Sequence, residues 1–215
     1  RTFGFDSAVA VVALALARLE TTARSHGRVM ILETMGRYAG WIALEGGLAG
    51  GADIILMPEQ PYDLNTVIEV CKEREKKQGY TVICIAEGAR AIDGEMTIHS
   101  RLENSPDPIR LGGVANVLRE QLQPHLESEV RSTQLGHVQR GGTPTPFDRV
   151  LATQFGWYAA KMVQRGEFGR MVVLKGEECQ SVKIEDVANR TRNVPMDHSL
   201  VNVARSLGVS LGEPA

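Results

Sequence analysis

The chain has 215 residues, of which 43% are hydrophobic, so it is long enough to bury a substantial core in one large or two small domains. Lysine and arginine number 24 against 26 acidic residues, a formal net charge of -2 without a long run of either sign, and no nucleic-acid or membrane partner is therefore expected. The longest wholly apolar run, 8–17, is too short for a membrane span of about 20 residues, which favours a cytoplasmic protein.

Short runs rich in β-branched residues alternate with helical stretches along the chain. This alternation predicts an α/β fold with a largely parallel sheet. The runs are 28–33, 53–59, 80–88, 130–136 and 170–175.

Helices are predicted over 6–26, where Gly27 ends the pattern, over 63–79 and over 112–122. The glycines between 46 and 51 favour close helix packing over a nucleotide-binding loop. The polar stretch 89–111 predicts a long surface loop. Cys71, Cys84 and Cys179 are widely spaced and odd in number, which is typical of free thiols in a reducing compartment.

The stretch 135–149 reads LGHVQRGGTPTPFDR and combines two signals. Thr145, Pro146 and Asp148 are typical of a helix start, with a side-chain cap and a carboxylate near the positive end of the helix dipole. His137 and Arg140 follow a predicted strand and are flanked by glycines, so they could bind a phosphate or carboxylate at the carboxyl end of that strand. The alternative is a plain turn with two exposed side chains.

Two further candidates follow predicted strands. Gly36 permits a tight turn and places Arg37 at the start of the next helix, where free N–H groups favour anions, although a plain turn with a solvent-facing arginine is an equal alternative. Glu87 could accept hydrogen bonds from sugar hydroxyls or could cap a local turn. Because the carboxyl ends of parallel strands share one edge, a compact ligand with phosphate and hydroxyl groups would fit all three places together.

Five segments, 4–9, 25–44, 49–59, 85–89 and 135–156, closely resemble the 6-phosphofructokinase family. The resemblance runs from Phe3 to about Val173, and MGR followed by GHVQRGG at this separation is highly specific. It implies a parallel-sheet sandwich made of two α/β lobes.

The resemblance also implies how the chain divides between those lobes. Residues 1–140 would form the fructose 6-phosphate-binding lobe and 141–190 would return to an incomplete donor-binding lobe. Residues 191–215 would cross back to the substrate lobe.

The family transfers a phosphoryl group from ATP or pyrophosphate to the 1-hydroxyl of fructose 6-phosphate, a glycolytic step that uses Mg²⁺. By resemblance, Met35, Gly36 and Arg37 line the substrate, and Arg37 lies near the transferred group, where it could stabilise negative charge. Glu87 would bind sugar hydroxyls.

The remaining substrate contacts are implied to come from two subunits. His137 and Arg140 would bind the sugar phosphate within their own subunit, whereas Arg28 and Arg131 would reach the 6-phosphate of a neighbour. The resemblance therefore implies a homodimer or homotetramer with shared sites.

Two departures from the family limit these expectations. The donor-phosphate loop, the magnesium carboxylate and the proton-accepting aspartate all lie upstream of the position matching Phe3, so we expect a part of a larger protein that binds substrate without catalysis. Glu20 and Gln78 stand where allosteric relatives carry basic residues, which argues against the usual effector control.

Three readings stay open at this point. The leading hypothesis is a phosphofructokinase whose donor stays open, because the deciding residues are expected in the missing lobe; ATP is the commoner choice and pyrophosphate the close second. A non-catalytic sugar-phosphate-binding subunit is an alternative from another class. A purely structural α/β domain, whose Gly/Arg turns are only connections, is the third.

Overall fold

The computed structural model describes residues 2–101 and 109–214. Helices and strands alternate over most of this length. The helices are α1 (Phe5–His26), α2 (Trp41–Ala49), α3 (Leu64–Lys77), α4 (Val114–Leu122), α5 (Pro146–Gln164) and α6 (Ser199–Ser206). The strands are β1 (Val29–Thr34), β2 (Ile54–Leu56), β3 (Thr81–Ala86), β4 (Ile98–Arg101), β5 (Ile109–Leu111), β6 (Val130–Gln134), β7 (Arg170–Lys175) and β8 (Glu178–Lys183).

Four strands form a parallel sheet in the order β2-β3-β1-β6, which confirms the predicted α/β fold. Every residue of β1 and β3 is buried, as expected for strands covered on both faces. One face packs against α1, α2 and α6, and the other packs against α3 and α4. The two hydrophobic cores therefore hold the sheet rigidly, so the loops at its edges start from fixed positions.

The glycines of α2 allow this helix to approach α1 closely, as predicted. A Cβ atom at Gly46 would lie 2.5 Å from Val12 Cγ1, and one at Gly50 would lie 2.7 Å from the Cβ of Leu16. No side chain fits at either position without displacing its neighbour, which explains the glycines by packing and not by nucleotide binding.

Two expectations about strands need correction. The polar stretch 89–111 contains β4 and β5, which pair in an antiparallel manner, so it is not one continuous loop; residues 102–108 lie outside the described residues. The strand predicted at 170–175 exists as β7, but it pairs only with β8 in a separate antiparallel hairpin. Gly176 adopts a φ of 61° in the tight turn that joins them, a conformation open to glycine.

The C-terminal segment packs on the same core as α1 and α2. Val194, Val201, Ala204 and Leu211 are buried there, and the Ser210 carbonyl accepts a hydrogen bond from the Ile55 N–H at 2.9 Å. No helix in the described ranges is both long and apolar enough to cross a membrane. Cys71 and Cys84 are free and buried, and burial raises the pKa of both thiols to about 12.

Candidate functional site

The carboxyl ends of three adjacent parallel strands bring the sequence-predicted site residues to one edge of the sheet. Met35, Gly36 and Arg37 follow the middle strand, β1. Glu87 follows β3 on one side, and the 3-10 turn Gly136–Arg140 follows β6 on the other. The predicted convergence is confirmed, although the role of each side chain stays a prediction.

Glu87 clamps the loop that follows β1. Its Oε1 accepts hydrogen bonds from the N–H groups of Gly36 at 3.0 Å and Arg37 at 2.8 Å, and the residue is 8% exposed. A Cβ atom at Gly88 would lie 2.1 Å from the Arg37 carbonyl oxygen, so this backbone passes very close to the loop. The structure thus gives Glu87 the capping role that the sequence left as an alternative, and any role toward a sugar hydroxyl stays a prediction for its second oxygen.

The expectation that Arg37 lies at the start of the next helix is wrong. The helix α2 begins at Trp41, four residues later, and the N–H of Gly40 donates to both Glu59 carboxylate oxygens, at 2.9 and 3.1 Å. The chain's own Glu59 carboxylate therefore occupies the N–H that precedes the helix, whereas the binding of an anion near Arg37 stays a prediction. Arg37 instead has a φ of 53°, which is uncommon for a residue with a side chain and is often found at functional sites.

His137 and Arg140 lie on the exposed side of the turn Gly136–Arg140. Side chains three residues apart are aligned in a 3-10 helix, so the two groups share one face. Neither forms a hydrogen bond or ion pair within the described part of the chain, and two cationic or polar groups on one face suit a phosphate ligand.

Gln139, on the inner side of the same turn, is a residue that the sequence reading missed. It is 3% exposed; its Oε1 accepts from the Met35 N–H at 2.9 Å, and its Nε2 donates to the Met35 carbonyl at 3.3 Å. The only signal in the sequence was its place between His137 and Arg140.

Thr145 caps α5 as predicted, because its hydroxyl accepts from the Asp148 N–H at 3.3 Å. Asp148 does more than face the helix dipole, since its Oδ2 accepts from both the N–H and the hydroxyl of Ser7, at 2.8 and 2.5 Å. This buried contact joins the start of α5 to the start of α1 beside a cavity of about 340 Å³ that Arg140 and Arg149 also line.

Glu33, a charged residue within the buried strand β1, was also missed. Its carboxylate accepts from the N–H groups of Gly113 and Ala115, each at 2.9 Å, and from Gln134 Nε2 at 2.7 Å. It fixes the start of α4 beneath the same edge of the sheet. An acidic residue inside an otherwise apolar run was the signal that could have indicated it.

Arg28 and Arg131 lie away from this edge. Arg28 Nε contacts Glu129 at 2.7 Å, and Arg131 contacts the other oxygen of the same carboxylate. Arg28 directly precedes β1, and Arg131 is the second residue of β6, so both lie at the amino ends of their strands. Arg28 is separated from Met35 by the whole of β1, roughly 20 Å of extended chain. The structure does not bring these two arginines together with His137 and Arg140.

A second opening, of about 570 Å³, lies between the β1 loop and the segment 189–191, and Arg37 and Arg190 both line it. Within residues 2–101 and 109–214, no group of three or more His, Cys, Asp or Glu side chains is placed to hold a metal ion. This part of the chain therefore offers no ligand cluster for Mg²⁺, whose carboxylate ligand the resemblance places upstream of Phe3.

Comparison with known proteins shows the family of the chain. The family model described as Phosphofructokinase matches residues 1–163. The chain is 49% identical over 214 residues to ATP-dependent 6-phosphofructokinase 2 of Clostridium perfringens, covering 99% of the chain and 58% of that protein. It is 46% identical over 193 residues to the pyrophosphate–fructose 6-phosphate 1-phosphotransferase of Streptomyces coelicolor, covering 90% of the chain and 56% of that enzyme. The chain thus spans less than two thirds of the length of these relatives.

Solved structures extend the comparison to the fold. The phosphofructokinase of Saccharomyces cerevisiae matches 84% of this chain and 23% of its own, with a TM-score of 0.69 and 30% identity. A pyrophosphate-dependent phosphofructokinase from Marinobacter aquaeolei matches 95% of this chain and 51% of its own, with a TM-score of 0.73 and 22% identity, which supports the fold alone. By its family model and its relatives, this chain belongs to the phosphofructokinase family.

Proposed function

We propose that the full-length protein transfers a phosphoryl group from ATP or pyrophosphate to the 1-hydroxyl of fructose 6-phosphate, and that the described edge of the sheet binds this sugar phosphate. The observation that carries the proposal is the convergence of Arg37, Glu87 and the His137–Arg140 face at the ends of three adjacent strands. A ligand with a phosphate at one end and hydroxyls at the other matches this set of groups.

Each group has a role that its chemistry supports. His137 and Arg140 would bind the 6-phosphate through charge-assisted hydrogen bonds, and Glu87 would accept from a sugar hydroxyl with its second oxygen. Arg37 would stabilise the negative charge on the phosphoryl group as it is transferred. Met35 and Gly36 would line the sugar.

The donor is proposed to be ATP, with pyrophosphate as the second candidate. Relatives named for either donor reach similar identity to this chain, 49% and 46%. Mg²⁺ would neutralise the donor phosphates, and its ligands are expected outside this chain.

The site is further proposed to be shared between subunits of a homodimer or homotetramer. Arg28 and Arg131 lie too far along their strands to reach a phosphate held by His137 and Arg140 of the same chain. If they bind the 6-phosphate, they bind the one that a neighbouring subunit holds. In the separate chain, both guanidinium groups are held next to each other by the Glu129 carboxylate.

The test is an assay of the full-length protein with fructose 6-phosphate, Mg²⁺ and each donor in turn. Formation of fructose 1,6-bisphosphate with one donor supports the proposal and identifies the donor. Binding of fructose 6-phosphate without turnover would favour a non-catalytic subunit, and neither binding nor turnover would overturn the proposal. The 215-residue chain by itself is expected to bind the sugar phosphate without turnover.

A further inference from the structure

The buried amide of Gln139 joins two arms of the candidate site, the loop Met35–Arg37 after β1 and the turn Gly136–Arg140 after β6. The Met35 N–H donates to Gln139 Oε1 at 2.9 Å, while Gln139 Nε2 donates to the Met35 carbonyl at 3.3 Å. A side-chain amide that bonds both backbone groups of one residue copies what a neighbouring strand would supply. Met35 and Gln139 are 104 residues apart, so this is a tertiary contact.

The amide stands where the sheet ends. The last backbone hydrogen bond between the β1 and β6 chains joins the Leu135 N–H to the Glu33 carbonyl at 3.1 Å. Beyond it, the β1 chain continues into the Met35–Arg37 loop and the β6 chain winds into the turn Gly136–Arg140. Gln139 therefore extends the pairing past the point where the two backbones diverge.

The residues on either side of this bridge carry the candidate binding groups. His137 and Arg140 flank Gln139 on the exposed side of its turn, and Arg37 follows Met35 by two residues. Arg37 is already held on its other side by Glu87 and by the close approach of Gly88. Gln139 thus constrains the distance between Arg37 and Arg140 from the other side.

We propose that Gln139 is a positioning residue that sets the separation between Arg37 and the His137–Arg140 pair, so that one sugar phosphate is held by both arms at once. The side chain is buried, and both hydrogen bonds that it forms with the described residues go to the Met35 backbone. This inference rests on the proposed function, because its consequence is measured on fructose 6-phosphate. A site held within a few tenths of an ångström requires such supporting contacts.

The first test is Gln139→Met in the full-length enzyme, because methionine has the same length and forms neither hydrogen bond. The KM for fructose 6-phosphate is expected to rise about tenfold, whereas the KM for the donor stays within about twofold. Gln180→Met is the matched control, since Gln180 is exposed on β8 in the separate hairpin. Unchanged kinetics for fructose 6-phosphate in Gln139→Met would overturn the inference, as would equal rises in both KM values.

A double-mutant cycle separates positioning from general stability. If Gln139 acts by placing Arg140, the combined change Gln139→Met with Arg140→Ala should raise the KM for fructose 6-phosphate by less than the product of the single effects. A product of independent effects would contradict the inference. Gln139→Glu, which keeps the acceptor for the Met35 N–H, replaces Gln139→Met in this cycle if the methionine variant does not fold.

The outcome for the wild type distinguishes this inference from the proposed function. A wild-type enzyme that neither binds nor phosphorylates fructose 6-phosphate overturns both. An active wild type whose Gln139→Met variant has normal kinetics overturns only the positioning role.

Discussion

Buried and half-buried carboxylates in this chain bind its own backbone. Glu33 accepts hydrogen bonds from two N–H groups at the start of α4, Glu59 accepts from Gly40 and Val194, and Glu87 accepts from Gly36 and Arg37. A buried carboxylate is stable only when several donors satisfy it, and loop N–H groups supply those donors. Acidic residues at strand ends therefore serve first to fix the loops that carry the candidate ligand contacts.

Glu87→Ala is expected to lower the free energy of unfolding by about 2–3 kcal/mol, because the N–H groups of Gly36 and Arg37 lose a charged, buried acceptor. Urea denaturation followed by circular dichroism would measure this change. Glu127→Ala is the control, since Glu127 is exposed, and should stay within about 0.5 kcal/mol of the wild type. Equal stability of the two variants would contradict the clamping role of Glu87.

Arg140→Ala in the full-length protein is expected to weaken fructose 6-phosphate binding by about 1.5–3 kcal/mol, which is more than tenfold, because one charged contact to the phosphate is lost. Isothermal titration would measure the affinity. Stability should change by less than about 0.5 kcal/mol, since the side chain is exposed. Arg18→Ala, at an exposed position of α1, is the control; if the two variants bind equally well, Arg140 has no role in the site.

The local part of the site could be predicted from the sequence, and the long-range part could not. His137 and Arg140 lie within one short motif, and glycines beside them indicate a turn at a strand end. The contact that holds this turn in place joins residues far apart, because Gln139 and its partner Met35 are separated by 104 positions. No pattern along a single sequence states which buried polar group meets which partner.

At the scale of elements, runs of β-branched residues predicted the strands of the parallel sheet, because these strands are buried along their length. The helices that cover the sheet were predicted from their pattern of apolar residues. The β4–β5 pair was missed because its sequence is polar and short, so it lacks the apolar run that indicates a buried strand. The strand β7 was predicted, but its antiparallel pairing with β8 was not. Only Gly176 and Glu177 separate the two strands, and the polar sequence of β8 did not indicate a second strand after this short turn. The local composition thus predicts that a strand forms, whereas its pairing depends on the turn that follows and on the strand it meets.

Packing of α1 against α2 provides a prediction at the same scale. Gly46→Ala is expected to lower the free energy of unfolding by about 1–3 kcal/mol, because the new methyl group would lie 2.5 Å from Val12 Cγ1 in a filled core. Chemical denaturation would measure the change. The same substitution at Gly156 in α5, where a Cβ atom has no neighbour within 4 Å, should cost nothing and could add about 0.5–1 kcal/mol through helix propensity. Equal effects at both positions would rule out close helix packing as the reason for Gly46.

At the scale of the whole molecule, α5 carries several apolar side chains that are exposed. Val150 and Trp157 are 59% and 63% exposed, and with Phe147 they recur at spacings that place them on one face of the helix. Met162, in contrast, is buried, and Phe155 stacks edge to face on Phe3 with ring centroids 6.1 Å apart. The helix therefore has one face against the chain and an apolar face toward solvent, which monomeric proteins seldom expose as a continuous patch.

The exposed face of α5 makes self-association of the 215-residue chain the expected behaviour, because burying this face removes apolar surface from water. Light scattering coupled to size-exclusion chromatography should show a mass that rises with concentration. Trp157→Lys should shift the chain toward the monomer by placing a charge on this face. Leu207→Lys, at a residue that is 72% exposed at the end of α6, should leave the association unchanged. A wild-type chain that stays monomeric at every concentration would contradict the predicted self-association. Equal effects of the two lysine substitutions would show that the chains do not associate through the exposed face of α5.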